Sequence, residues 1–190
     1  MNIYVILSIL KRGQCTTLYQ IRPLLHYSDF WADPAQQILP KSWSNDDQDQ
    51  LENDVYKFTT ETIKQFKNIG SNIGMVQIGN EITNGIMGQT TNRDTGGSYK
   101  GVWENSDKSQ KIVAYLKSAS NAVRHSSPNS LIAVHLETPD LSKYDDIMSV
   151  LRNGHLDYDV LGSSYYPFWS VSAKSNTPDM LKRVADLASQ

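Results

Sequence analysis

Glu81 is the carboxylate with the clearest chemical setting. It closes the run Gly74-Met75-Val76-Gln77-Ile78-Gly79-Asn80-Glu81 and is followed by Ile82-Thr83-Asn84-Gly85. Met75 to Ile78 is an apolar run of the length of a buried strand. Gly79-Asn80-Glu81 is where such a strand must turn. A carboxyl at a buried strand's mouth is half-dry, the setting in which desolvation tunes it for general-acid work. Asn80 beside it both donates and accepts, which suits a sugar hydroxyl. An ordinary polar loop after a strand accounts for the same residues, because an Asn-Glu pair is common.

A second polar and aromatic group follows Pro23-Leu24-Leu25, in His26-Tyr27-Ser28-Asp29-Phe30-Trp31-Ala32-Asp33-Pro34, and continues in Lys41-Ser42-Trp43. Rings packed beneath a loop would explain it, and so would the floor of a ligand site. His135 and Glu137 end the apolar run Leu131–Val134. Between Asn84 and Glu104 a glycine-rich stretch carries Arg93, Asp94, Tyr99, Trp103 and Glu104 as individually weak lining candidates. Loops of that length are functional or disordered. His26, His125, His135 and His155 have no metal-ligand spacing, so neither a metal nor a cofactor is expected.

The elements that must position these groups alternate. Leu51, Val55, Phe58, Thr62, Phe66 and Ile69 form a helical stripe within residues 46–68, with Gly70 as its stop. Ser106 to His125 is a second helix with Ser106 as N-cap. Ser142 to Asn153 is a third, with Gly154 at its C′ position. Tyr158 to Leu161 is a further strand, and Thr177-Pro178 opens a last helix. Continuous apolar strands fit a parallel sheet covered on both faces. Polar and aromatic residues gather after each strand, as in a (β/α) barrel with its site at the strands' C-terminal ends. Residues 1–22 are the hard stretch: β-prone at Ile3 to Leu10, without clean alternation, then a turn at Gly13 to Thr17.

The bulk numbers narrow the function. The chain has 190 residues, 39% hydrophobic and 20% charged, with mean hydropathy −0.46, as in a soluble globular domain. A net charge of −2 supplies no basic field for nucleic acid or an anionic membrane. The single cysteine, Cys15, excludes a disulfide scaffold. No apolar run reaches the ~20 residues of a membrane span. Lys11-Arg12 follows the early apolar run rather than preceding it, which argues against a signal peptide.

Three segments together resemble glycoside hydrolase family 53, the arabinogalactan endo-β-1,4-galactanases. They are His26 to Pro34, Val76 to Gly85, and Ser164-Tyr165-Tyr166-Pro167-Phe168-Trp169. The resemblance implies a retaining glycosidase on a (β/α)8 TIM barrel, here roughly its third to sixth βα units. Residues 23–190 would form the partial barrel and 1–22 a divergent N-terminal segment. It implies Glu81 as general acid/base. Asn80, His26, Asp29, Trp31, His135, Tyr165 and Trp169 would bind substrate, which would be galactan or arabinogalactan. An extracellular setting follows from the same resemblance.

In the family the nucleophile is a Glu ending the seventh strand. With Glu81's strand as fourth, Leu131–Val134 is fifth and Tyr158–Leu161 sixth, so no residue matches it. The chain alone is then expected to have little hydrolytic activity. A galactan-binding remnant without turnover and a partial gene product are the alternatives.

Overall fold

In the computed structural model the described residues are 3–8 (backbone only), 20–91, 98–137 and 140–164, with Lys182 and Asp186. Tyr165 and Trp169, Arg93 and Asp94, the turn at 13–17 and, save for the helical Lys182 and Asp186, the helix expected after Thr177-Pro178 lie outside them.

The sheet is built from strands that follow one another both in sequence and in space. β1 (Ile3–Ser8) pairs antiparallel with β2 (Gln20–Leu25), setting Ile3 opposite Leu25. β2 then runs parallel to the short β3 (Asn72–Ile73) and to β4 (Met75–Ile78). Beyond β4, a small antiparallel hairpin joins β5 (Gly85–Ile86) to β6 (Gln89–Thr90). β7 (Leu131–Leu136) pairs parallel with β4, and β8 (Val160–Ser163) with β7. The order β2-β4-β7-β8 never doubles back. A doubly wound sheet reverses at a switch point, whereas a barrel winds one way. The antiparallel β1 departs from the all-parallel sheet expected from sequence. β2 also starts at Gln20, ahead of the Pro23 where an apolar strand was expected.

Helices link and cover these strands. α1 (Gln48–Asn68) starts in a capping box: Asp47 accepts from the Gln50 N–H, and the Gln50 side chain accepts from the Asp47 N–H. Such a cap contributes about 1 kcal/mol. α1 buries Leu51, Val55, Thr59, Thr62 and Ile63. Ile69, expected at the end of that stripe, is 77% exposed, because the helix stops before it and Gly70 turns with φ 78°. α2 (Lys100–Trp103) is a single turn. α3 (Ser106–Ser126) packs on α1. Its N-cap is Asn105, whose side chain accepts from the Lys108 N–H, and not Ser106.

α4 (Leu141–Asn153) is capped by Asp140. Gly154 does not take the left-handed C′ conformation expected of it. Its φ is −77°, and the left-handed residue is His155, with φ 53°. Gly154 is required by closeness instead: a Cβ there would stand 2.5 Å from Val113 Cγ1 of α3. β8 lies two residues further along than the expected 158–161.

Val76 and Ile78 of β4, Ile132 and Val134 of β7, and Leu25 of β2 face the helices in one apolar core with Ile63, Leu116 and Ile147. Each such side chain contributes roughly 1.5–3 kcal/mol by leaving water. That core fixes the strands, and the strands carry His26, Glu81, His135 and Ser164 to neighbouring positions at their C-terminal ends.

Candidate active site

The turn after β4 has a demanding backbone. Gly79 has φ 81°, and a Cβ there would stand 2.7 Å from Ile82 Cγ2, so only glycine fits. Its N–H donates to Leu25 O at 2.9 Å, carrying the β2–β4 pairing one step further. Glu81 is also left-handed, with φ 47° and ψ 49°. For a side chain with a Cβ that costs about 1–2 kcal/mol, and such strain gathers at functional sites. Gln37 holds the turn. Its Nε2 donates to Asn80 O at 2.8 Å and to Asp33 O at 3.1 Å. Past the turn, the buried Thr83 accepts the Trp103 indole N–H on its carbonyl and the Glu137 N–H on Oγ1.

Glu81, Asn80, His135 and Ser164 form one chain of hydrogen bonds, buried at Glu81, Asn80 and Ser164 and half-buried at His135. The Ser164 hydroxyl donates to Glu81 Oε1. Ser164 Oγ also lies 3.0 Å from His135 Nε2. His135 Nδ1 lies 2.9 Å from Asn80 Oδ1. Asn80 Nδ2 donates to Ala32 O at 2.9 Å, and Gln77 Nε2 donates to Asn80 Oδ1 at 3.2 Å. These bonds fix which way the Asn80 amide points, so Oδ1 faces His135. The Glu81 N–H also approaches Nδ1, but at 3.4 Å. Burial lowers the His135 pKa to about 4, so the ring is neutral near pH 7. Sequence placed His135 at the end of its strand; it sits inside β7, one residue before the last.

The loop after β2 supplies the second side. His26 is buried, its Nδ1 accepting the Ala32 N–H at 3.0 Å, which puts the ring proton on Nε2. Burial lowers its pKa. The Ala32 peptide thus bonds His26 through its N–H and Asn80 through its carbonyl. The rings in this loop divide. Tyr27 is 1% exposed and donates to or accepts from Thr59 Oγ1, whereas Phe30 and Trp31 are 56% and 57% exposed. Trp31 lies against His26, with ring centroids 5.8 Å apart. Asp29 Oδ2 accepts the Lys41 N–H at 2.8 Å, tying the loop to the short 3-10 turn Lys41–Trp43.

The glycine-rich stretch contributes less than expected. Trp103 is buried in the core, Glu104 makes an exposed surface pair with Lys100, and Tyr99 donates to Asp146 Oδ2. Glu137, the nearest carboxylate in strand order, pairs with Lys143 at 3.3 Å. Sequence reasoning singled out neither Ser164 nor Gln37. Ser164 has a signal, as a small polar residue ending an apolar strand inside one of the three recognised segments. Gln37 has none, because its role comes from a contact between distant loops.

A family model described as glycosyl hydrolase family 53 matches residues 4–189. An endo-β-1,4-galactanase of Bacillus subtilis is 37% identical over 162 residues, covering 85% of this chain and 34% of that protein. An arabinogalactan endo-β-1,4-galactanase of Humicola insolens is 35% identical over 168 residues, covering 83% of this chain and 45% of its own length. The chain spans less than half the length of these relatives. The solved family 53 catalytic domain of Ignisphaera aggregans superposes with TM-score 0.69 at 30% identity, over 86% of this chain and 41% of that one. One of two fungal β-1,4-galactanases matches as well, also at TM-score 0.69 and 30% identity, over 85% and 46%. The fold is therefore the expected partial (β/α) barrel, and the chain belongs to glycosyl hydrolase family 53.

Proposed function

We propose that this chain carries one side of an endo-β-1,4-galactanase cleft, with Glu81 as the general acid/base of a retaining hydrolysis. The observation that supports it most is the Glu81 carboxyl itself. It is buried at a strand's C-terminal end, on a strained turn, and bonded to Ser164. In the retaining reaction one carboxyl attacks the anomeric carbon while the other protonates the leaving oxygen and then activates water, the two being about 5–5.5 Å apart. Glu81 takes the second role.

Trp31 offers an exposed ring on which a galactose face can stack. Asn80, His26, Asp29 and His135 line the sugar path in the same reading, and Tyr165 and Trp169, outside the described residues, are substrate-binding by the family resemblance alone. Asn80 and the two histidines bond protein groups as well, so they also shape the cleft around Glu81. The substrate is a polysaccharide, β-1,4-galactan or arabinogalactan, a polymer that meets an enzyme outside the cell. The nucleophile has no match in residues 1–190, and Glu137 is engaged by Lys143. That engagement favours a second reading, in which the chain alone binds galactan without turnover.

Calorimetric titration with β-1,4-galacto-oligosaccharides tests the substrate assignment. Binding that weakens at least tenfold in Trp31→Ala, with no change in thermal stability, is expected. Equal affinity for xylo-oligosaccharides, or no effect of Trp31→Ala, would contradict it.

A further inference from the structure

We propose that Ser164 is a positioning residue for Glu81, its single hydroxyl proton moving between Glu81 Oε1 and His135 Nε2 as Glu81 gains and loses its own proton. The role rests on the reading of Glu81 as acid/base. One oxygen stands within bonding distance of two acceptors, the Glu81 carboxyl and the imidazole Nε2 at 3.0 Å. A serine has one proton to give.

The tautomer of His135 makes Nε2 an acceptor. Asn80 Oδ1 can only accept, and at 2.9 Å it takes the proton on Nδ1. The Asn80 amide cannot turn over, because its Nδ2 is committed to Ala32 O and its Oδ1 to Gln77. The competing approach of the Glu81 N–H at 3.4 Å is too long to outweigh it. Nε2 therefore presents a lone pair to Ser164 Oγ. The backbone holds that oxygen in place, since the Ser164 N–H donates to Leu136 O at 3.1 Å and continues the β7–β8 pairing. Of the other titratable groups on adjoining elements, Glu137 pairs with Lys143, Tyr144 bonds Ser163 and the Glu137 carbonyl, and His26 takes the Ala32 N–H.

The consequence is chemical. While Glu81 is a neutral acid, the imidazole lone pair is the better acceptor and the hydroxyl turns to it. As Glu81 passes its proton to the leaving oxygen, its carboxylate becomes the stronger acceptor and the hydroxyl turns back. No bond to the serine proton breaks; it only changes partner. The charge-assisted bond to Glu81 is thus gained as the carboxylate forms, which favours the transition state over the ground state. The exchange runs in reverse when Glu81 takes a proton from water.

Nitrogen-15 NMR of the His135 ring tests this without relying on turnover. Glu81→Gln stands in for the neutral acid. In alkaline buffer the wild-type ring should show the proton on Nδ1 and an unbonded Nε2. In Glu81→Gln the Nε2 resonance should move upfield as Ser164 donates to it. Ser164→Ala should abolish that difference, and Ser164→Thr, which keeps a hydroxyl, should restore it and guard against a misfolded alanine variant. A ring proton on Nε2, or an upfield shift that survives Ser164→Ala, would overturn the proposal. Coupling without Glu81-dependent release of oligosaccharide from β-1,4-galactan when formate is supplied as external nucleophile would overturn the functional reading and, with it, the role given to Ser164. Cleavage without coupling would overturn the Ser164 exchange alone.

Discussion

Gln37 Nε2 lies 2.8 Å from the carbonyl oxygen of Asn80 and so ties the loop after β2 to the turn that carries Glu81. The same side-chain amide reaches Asp33 O, and the main-chain carbonyl of Gln37 accepts the Gly88 N–H. Gln37→Leu keeps the apolar stem and removes the donors. It takes this donor from the buried Asn80 carbonyl, at about 1–3 kcal/mol, while Asp33 O keeps the Gln36 N–H. A fall of that size in unfolding free energy, measured by denaturant titration, is expected together with weaker galacto-oligosaccharide binding. Unchanged stability would show that the turn does not depend on this bridge.

Gly79→Ala tests the turn from the other side. The alanine would carry the left-handed φ of 81° and set its Cβ 2.7 Å from Ile82 Cγ2. Conformation alone costs about 1 kcal/mol, and the contact adds to it. A loss of at least about 1 kcal/mol is the expected outcome. Gly70→Ala is the control. Its φ of 78° is similar, but no atom lies within 4 Å of its Cβ, so it should be the milder change.

His135 gives the fold a pH dependence of known sign. Burial holds its pKa at about 4 in the folded chain, against 6.5 when unfolded. Between those values the unfolded state binds the extra proton, so stability falls as pH falls from 6.5 towards 4 and is unaffected above 6.5. In His135→Gln that part of the slope should vanish. Denaturant midpoints across the acid range, compared between the two proteins, measure it.

The sequence made the helices and parallel strands legible because their signals are local. The stripe from Leu51 to Thr62 marks α1, and the apolar runs at 75–78 and 131–134 mark β4 and β7. Boundaries slipped where a neighbour competed: Asn105 rather than Ser106 caps α3, and Gly154 answers to Val113 rather than to a left-handed turn. The antiparallel β1 was not legible, because which strand it pairs with is set by tertiary contacts and not by its own composition. Within the site, Glu81, Asn80 and His135 stand together as their places at strand ends implied. Ser164 and Gln37 were missed, since a serine or glutamine acquires its role only from what it faces.

The central claim is that Glu81 protonates a galactosidic oxygen. Its most direct test is oligosaccharide release from β-1,4-galactan by the chain, with formate supplied as the external nucleophile, compared between wild type and Glu81→Gln. Release that requires formate and is lost in Glu81→Gln is the expected result. Release that survives Glu81→Gln, or none even with formate, would contradict it.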